Sequence, residues 1–251
     1  MIMLDAIAQH FFFFVLYGFL GWAWESVFVS MWTEHHLMNR GFLNGPCCPI
    51  YGCGAMANIL LLSAVESPVS LFLLSGFACC LIEYLTSWAM EAIFHARWWD
   101  YSGKLLNING RVCLLGFLGF ASFSVILVKV LHPIVVDLTS RIPQNILCIA
   151  AGLLFVLGVF DYIVTLTGFH GFNDSLRAMS MAMEKTSMDW SVRVHLAPRL
   201  EAMNEAYRDV VSRFTSQQRR MVRAFPRLRS QHYDHALRRL KVSLKTGTDG
   251  K

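Results

Sequence analysis

The chain has 251 residues, of which 55% are hydrophobic and only 16% charged, and its mean hydropathy is +0.45. Because soluble domains carry charge on about a quarter of their residues, this composition excludes an ordinary soluble globular protein. The net charge of +5 is unevenly divided: residues 1–169 hold six Lys and Arg against nine Asp and Glu, and residues 170–251 hold sixteen against eight. We therefore predict a transmembrane domain, 1–169, and a basic tail, 170–251.

Five apolar runs follow one another in the first domain. Each is close to the roughly 20 residues that a helix needs to cross about 30 Å of hydrocarbon. We predict an all-α fold, a polytopic bundle of about five transmembrane helices. The second run is short and begins among glycines, so it either crosses fully or re-enters. The first run lacks the basic flank of a signal peptide and is expected to be retained. The runs are 7–31, 49–65, 69–94, 112–136 and 145–169.

The distribution of charge among the loops predicts the orientation. A basic tail belongs in the cytoplasm, and five crossings then place the N-terminus outside. The loops assigned to the cytoplasm hold Arg40, Arg97, Lys104 and Arg111. Those assigned to the outside hold Glu66, Asp137 and a single cation, Arg141. The bias agrees with an N-out, C-in topology.

The tail is predicted to contain an amphipathic helix between Pro198 and Pro226, because apolar residues recur there three and four apart and prolines mark helix ends. Its charged flank favours docking on another helix or on an anionic leaflet, and packing against the cytoplasmic face of the membrane domain is equally open. Interleaved acidic residues argue against nucleic acid as a partner. The last ten or so residues are expected to be disordered.

Carboxylates inside the apolar runs mark a candidate site, because an ionisable group at membrane depth costs roughly 2.5–3.5 kcal/mol and usually faces an interior cavity. Glu83 and Glu91 lie within about 80° of each other on one helical face, with Ser87 between them. We predict that they and Glu25 open to one cavity on the cytoplasmic side. The predicted cavity or substrate-binding residues are Glu25, Arg40, Asn44, Tyr51, Glu83, Ser87, Glu91, Arg97, Asp100, Asn109 and Arg111.

Structural interpretations of these features stay open. Buried Glu–Arg pairs can fix helix register, and Trp22, Trp24, Trp98 and Trp99 resemble an interfacial aromatic belt. Asp161 is a lone acid in the fifth run that pairs with an arginine or caps the same cavity. The seven cysteines are expected to serve in packing, and neither a metal site nor a cofactor is predicted.

A segment rich in Gly and Pro, Asn39–Gly54, precedes and enters the second run. Four glycines and two prolines predict a defined, non-helical path with exposed backbone N–H groups. Such a backbone is tolerated at the membrane edge where protein buries it or where it lines a wet cavity. The segment lacks the Walker spacing, so we predict a shaped re-entry loop rather than a phosphate-binding loop.

Several long motifs resemble the CmpB-like group of bacterial membrane proteins, labelled type IV ABC-transporter permeases. They are GWAWE at Gly21–Glu25, NRGFLNGPCCPIYG at Asn39–Gly52, EYLTSWAMEAIFHARWWDYS from Glu83, and NINGRVCL at Asn107–Leu114. The resemblance covers roughly residues 8–170, and the tail segment RRMVRAFPRLRSQHYDHALRRLK is similar to the end of some members. It implies a multi-pass protein of the bacterial cytoplasmic (inner) membrane. It supplies no catalytic residues.

Three hypotheses about function follow. Transport is favoured: it predicts a separate ATPase subunit, a coupling segment at Trp98–Arg111, and homo-oligomerisation, since five spans enclose little volume. The alternative is a membrane-embedded enzyme acting on a lipid headgroup or another membrane-borne substrate, with general acid–base groups and phosphate clamps in a one-sided pocket. The third is a scaffold whose basic tail recruits a partner. The substrate and the energy source stay open.

Overall fold

The computed structural model describes residues 2–35, 37–190, 211–212 and 214–246. Its regular structure is almost entirely helical, which confirms the predicted all-α membrane fold. In chain order the elements are α1 (Ile2–Ala23), π1 (Trp24–Val29), α2 (Ser30–Glu34), α3 (Pro49–Leu62), α4 (Pro68–Phe94), β1 (Ala96–Arg97), α5 (Leu114–Ile126), π2 (Leu127–Leu131), α6 (His132–Ser140), α7 (Gln144–Phe169), α8 (Phe172–Trp190), α9 (Ser216–Ala224), β2 (Arg229–Ser230) and α10 (Asp234–Thr246).

Within the described residues, four helices are long and apolar enough to cross a membrane: Met3–Trp32, Pro68–Phe94, Leu114–Ser140 and Gln144–Glu184. They correspond to four of the five predicted runs, and the last continues beyond its run into α8. The remaining run forms only the 14 residues of α3. At 1.5 Å per residue α3 is about 21 Å long, which is shorter than the roughly 30 Å of the hydrocarbon core.

The non-helical stretch ahead of α3, residues 37–48, lies along the first helix. The Arg40 N–H donates to Ser26 Oγ at 3.0 Å, and the Cys48 N–H donates to the Gly18 carbonyl at 2.9 Å. From Arg40 to Cys48 the stretch therefore runs towards the N-terminal end of the first helix, over about two turns or 12 Å. As a result α3 begins beside the middle of the first helix. Residues 37–48 and α3 together cover about the length of one membrane span.

Two glycines allow α1 and α3 to approach each other closely. A Cβ atom at Gly21 would lie 2.2 Å from Tyr51 Cγ, and one at Gly52 would lie 2.6 Å from the Phe14 carbonyl oxygen. Small residues at such positions let membrane helices pack backbone to backbone. Helices α1, α3 and α6 also share a core of buried side chains, made of Phe13, Tyr17, Ala55, Ile59 and Val135.

The first and third long helices each contain a π-helical turn. At the end of π1, the backbone N–H of Ser30 donates to the Glu25 carbonyl five residues earlier, and the Ser30 hydroxyl donates to the same oxygen at 3.3 Å. The turn π2 precedes Pro133, whose ring would clash with the Lys129 carbonyl in a regular α-helix. A wider turn relieves that clash. Single π turns inside helices occur frequently at functional sites.

The chain divides into two compact units. The first consists of Met1–Trp88 and Asp100–Val164, and the second of Ala89–Trp99 and Thr165–Lys251. The second unit therefore begins close to the predicted boundary at residue 170, but it also includes the last turns of α4 and the residues that follow them.

An aromatic core organises the second unit around Trp98, which is only 2% exposed. Its ring centroid lies 5.1 Å from that of Phe94, 5.4 Å from that of Phe169 and 6.3 Å from that of Phe225. The interpretation of Trp98 as an interfacial belt residue is therefore wrong, because a buried ring cannot contact lipid headgroups. Strands β1 and β2 pair antiparallel in this unit.

Much of the predicted tail helix, residues 198–210 and 213, lies outside the described residues. The described part is α9, which begins with a capping box: Thr215 Oγ1 accepts from the Gln218 N–H at 3.0 Å, and Gln218 Oε1 accepts from the Thr215 N–H at 3.1 Å. Helix α10 continues to Thr246, so residues 242–246 of the terminal segment with predicted disorder are helical. Residues 247–251 lie outside the described part.

Candidate functional site

A cavity of about 280 Å³ lies inside the first unit, among α1, α3, α4 and α5. This volume is just below the roughly 300–1,000 Å³ of sites for drug-sized ligands. Both π turns contribute to its wall, through Trp24 of π1 and Leu127 and Leu131 of π2. Most lining side chains are apolar, and the polar ones are Tyr17, Tyr51, Cys79, Glu83 and Ser124.

Glu83 is the only acid among the described lining residues of this cavity, and it is 5% exposed. Its Oε2 atom has no hydrogen-bond partner. The first turn of α5 is close by, since a Cβ atom at Gly116 would lie 3.7 Å from this oxygen. An unsatisfied buried polar atom costs free energy, so the Glu83 carboxylate retains unused hydrogen-bonding capacity at the cavity wall.

Tyr101, in the loop after α4, contacts the same carboxylate. Burial raises the pKa of the Tyr101 phenol above its usual range, and the Glu83 carboxylate, to which it donates a hydrogen bond, raises that pKa further. Tyr101 therefore stays a neutral donor at physiological pH. It holds one part of the Glu83 carboxylate in place, while Oε2 accepts no hydrogen bond.

Tyr51 and Glu25 form a second polar contact at this cavity. The Tyr51 hydroxyl donates to Glu25 Oε1 at 2.6 Å, and the tyrosine itself lines the cavity. Glu25 belongs to π1, so the widened turn of the first helix and the first turn of α3 are joined by one short hydrogen bond. The close approach at Gly21 places the Tyr51 ring against the first helix.

The loop after α4 folds back along that helix. Arg111 Nη1 donates to Ser87 Oγ at 3.1 Å, and its guanidinium lies 5.6 Å from the centroid of the Tyr84 ring. Asn109 Nδ2 donates to the Tyr84 hydroxyl at 3.0 Å. Tyr84 lies ten residues before the end of α4, or about 15 Å along the axis, so the loop covers the side of the helix.

Asp161 of α7 holds the Gly/Pro-rich loop. Its carboxylate accepts from the Asn44 N–H at 3.1 Å, from Asn44 Nδ2 at 3.0 Å and from the Gly45 N–H at 2.7 Å. The Asn39 side chain adds a further contact by accepting from Trp22 Nε1 at 2.8 Å. Sequence reasoning named Asp161 but gave it no part in shaping this loop.

Glu91 and Arg97 belong to the second unit. Arg97 Nη2 lies 3.2 Å from Glu91 Oε2, and Gln231 Nε2 donates to Glu91 Oε1 at 3.0 Å. A tail residue thus takes part in this cluster, which the sequence did not predict. Asp100 accepts from the backbone N–H and the hydroxyl of Ser102 and closes its own turn.

The predicted site residues are therefore found in several clusters. Glu83 and Tyr51 line the cavity, and Glu25 is hydrogen-bonded to Tyr51. The others lie in five further places: Ser87, Asn109 and Arg111 on the side of α4, Asn44 at Asp161, Arg40 beside Ser26, Asp100 in its own turn with Ser102, and Glu91 with Arg97 in the second unit.

One sequence signal could have located the cavity face of α4. Ser75, Cys79, Glu83 and Ser87 recur every four residues, and this spacing places them along one row of a helix. Cys79 Sγ accepts from Asn58 Nδ2 at 3.3 Å and lies 3.7 Å from Ser124 Oγ. Cys79 and Ser124 also line the cavity.

The family described as "Putative ABC-transporter type IV" matches residues 12–166, which is more than half of the chain. This match confirms the resemblance found in the sequence. Neither the curated proteins nor the solved structures yield a match.

Proposed function

The chain belongs to the family described as "Putative ABC-transporter type IV", and on that basis we propose that it is a membrane-embedded transporter component whose cavity binds the transported molecule. The observation that carries the proposal is Glu83, a buried carboxylate with an unpartnered oxygen in a cavity among four helices. Carboxylates at membrane depth that face an interior cavity mark substrate or ion pathways.

The interrupted path ahead of α3 supports this proposal. Membrane transporters form their binding sites near the midplane at discontinuous helices, because irregular backbone is tolerated there where it lines a cavity. Here the Gly/Pro-rich loop ends beside Gly18, and the first turn of α3 presents Ile50 and Tyr51 to the cavity. The break in the span and the buried acid thus meet at one place.

The family membership also supports a division of labour between subunits. We propose that a separate ATPase supplies the energy and that Trp98–Arg111 serves as the coupling segment. In this proposal the tail lies in the cytoplasm, the N-terminus lies outside, and the protein acts as a homo-oligomer in the bacterial inner membrane.

Transport can be tested in inverted inner-membrane vesicles prepared from the bacterium that carries the chain. Vesicles with the wild-type protein, with Glu83→Gln and with the chain deleted are incubated in a bacterial metabolite extract with or without ATP. Mass spectrometry then measures the solutes and lipids retained. We expect at least one compound whose ATP-dependent redistribution requires the wild-type chain and falls at least tenfold in Glu83→Gln.

Glu66→Gln is the matched control, because Glu66 is an exposed carboxylate between α3 and α4. It should redistribute the same compound at the wild-type rate. Identical profiles in wild-type and deleted vesicles would overturn the proposal. A compound that is chemically converted, rather than moved, would favour the membrane enzyme instead.

A further inference from the structure

The cavity has a side entrance between α1 and α5. Four of its lining residues are exposed, namely Leu20 (39%), Trp24 (41%), Phe123 (50%) and Ile126 (55%), whereas the other lining residues are buried or half-buried. All four are apolar, and they lie within the candidate membrane spans Met3–Trp32 and Leu114–Ser140. An apolar opening at that position faces hydrocarbon rather than water.

Two aromatic rings meet across this entrance. The ring centroids of Trp24 and Phe123 are 5.1 Å apart in an edge-to-face arrangement, which is a favourable geometry for aromatic pairs. Trp24 is the first residue of π1, and π2 begins at Leu127, directly after Ile126. Both helices that frame the entrance are therefore widened beside it.

The interior is apolar except for a few groups, and Glu83 is its acid. An isolated ion is costly to bury in such surroundings, so a nearby cation stabilises the ionised form of Glu83. A ligand with positive charge supplies that cation, whereas an anion is repelled by the carboxylate. The apolar wall then receives the rest of the molecule.

We propose that the cavity takes an amphipathic organic cation, an ammonium-type head on an apolar body, which enters from the bilayer past Trp24 and Phe123 and pairs with Glu83. This inference rests on the proposed function and names the class of molecule that the same site binds. A volume of about 280 Å³ accepts the head and the adjoining part of the body. The remainder extends through the entrance into the bilayer.

Binding can be measured with the purified full-length protein in dodecyl maltoside, a detergent without charge. The probe is rhodamine 6G, a lipophilic cation, followed by fluorescence anisotropy against empty micelles. The matched probe is N-phenyl-1-naphthylamine, which is aromatic and uncharged. We expect Glu83→Gln to weaken rhodamine 6G binding by roughly 10- to 100-fold, as for loss of a hydrogen bond to a charged group.

The uncharged probe shows whether the variant is folded. Glu83→Gln should bind N-phenyl-1-naphthylamine as the wild type does, and Glu66→Gln should bind both probes normally. Equal loss of both probes in Glu83→Gln, or unchanged rhodamine 6G binding, would overturn the role of Glu83 as the counter-charge.

The entrance has a separate test in binding kinetics. Phe123→Ala should raise the association rate of rhodamine 6G by at least threefold, because the ring obstructs entry. Phe160→Ala is the control, since Phe160 is 65% exposed on α7 and does not line the cavity. Equal rates in Phe123→Ala, Phe160→Ala and the wild type would refute lateral entry.

The cation has two sources, a free amphipath or the ammonium head of a lipid. Competition with phosphatidylethanolamine, compared with phosphatidylglycerol, distinguishes them: displacement by the former alone assigns a lipid, and displacement by neither assigns a free amphipath. The proposed function and the ligand class can be refuted separately. If vesicles redistribute a compound in a manner dependent on Glu83 while rhodamine 6G does not bind, transport stands and the ligand class is wrong.

Discussion

Asp161→Asn is expected to release the Gly/Pro-rich loop from α7. In the wild-type protein the carboxylate accepts hydrogen bonds from the backbone and the side chain of Asn44 and from the Gly45 N–H. Asparagine has nearly the same shape but only one acceptor oxygen, and its amide carries two hydrogens. In either orientation of the introduced amide, at least one N–H group of the loop then points at the amide NH2 group instead of at an oxygen.

The magnitude follows from the shortest of these contacts. The Gly45 N–H lies 2.7 Å from Oδ2, and a hydrogen bond to a charged acceptor contributes about 1.5–3 kcal/mol. Asn44 retains its contact with the amide oxygen, although without the charge. We therefore expect Asp161→Asn to lower the free energy of unfolding by about 2–3 kcal/mol, somewhat more than a single bond of this kind.

The thiol of Cys47 provides a local assay for the same change. Burial raises the pKa of Cys47, and the negative charge of Asp161 raises it further. Removing that charge and loosening the loop both lower the pKa, so the thiolate fraction at pH 7.5 rises. Maleimide labelling of Cys47, followed by peptide mass spectrometry, should therefore be faster in this variant than in the wild type.

Asp137→Asn is the matched control. Asp137 pairs with Arg141 at 2.6 Å, but their side chains are 64% and 70% exposed. Exposed pairs contribute roughly 0–1 kcal/mol, so this variant should unfold in SDS titration close to the wild-type midpoint and leave Cys47 labelling unchanged. If Asp161→Asn behaves like this control in both measurements, the assignment of Asp161 as the residue that holds the loop is refuted.

Three further predictions concern packing, capping and topology. Gly21→Ala should destabilise the protein by about 1–3 kcal/mol, because its Cβ would lie 2.2 Å from Tyr51 Cγ, whereas Gly152→Ala has open space and should be neutral or stabilising in thermal unfolding. Thr215→Ala removes the side-chain cap of α9 and should cost roughly 1 kcal/mol, seen as faster amide hydrogen exchange across Ser216–Ala224. A reporter that works only outside the cytoplasm should be active when it is fused to the N-terminus, and one that works only in the cytoplasm should be inactive. Activity of the cytoplasmic reporter would instead show that α3 re-enters.

The long helices could be predicted because their physical cause is local. A run of about 20 apolar residues satisfies its backbone only as a helix in a membrane, whatever surrounds it. The predicted run 69–94 differs from α4 by one residue at its start, and 145–169 differs from α7 likewise. The run 49–65 began among glycines, and the same glycines allow its helix to start beside the middle of α1.

The contacts of the site could not be predicted in the same way. Periodicity places Glu83, Ser87 and Glu91 near one face of a helix, but it cannot show which other segment each one meets. Gln231 reaches Glu91 from 140 residues away, and no local pattern indicates that contact. The Trp98 prediction failed for a related reason, since an aromatic residue at the end of a span suits both a membrane interface and a buried core.

The four-residue row on α4 explains how one helix serves so many contacts. Each step of four residues turns by about 40° around the axis, so the row winds and its members meet different neighbours. Cys79 contacts Asn58 of α3 and Ser124 of α5, while Ser87 meets Arg111 of the following loop. Between these positions Glu83 lines the cavity with an unpartnered oxygen. Ser75 Oγ is also buried without a partner, but Ser75 does not line the cavity, so Glu83 is the group of this row that combines an unsatisfied oxygen with a place in the cavity wall.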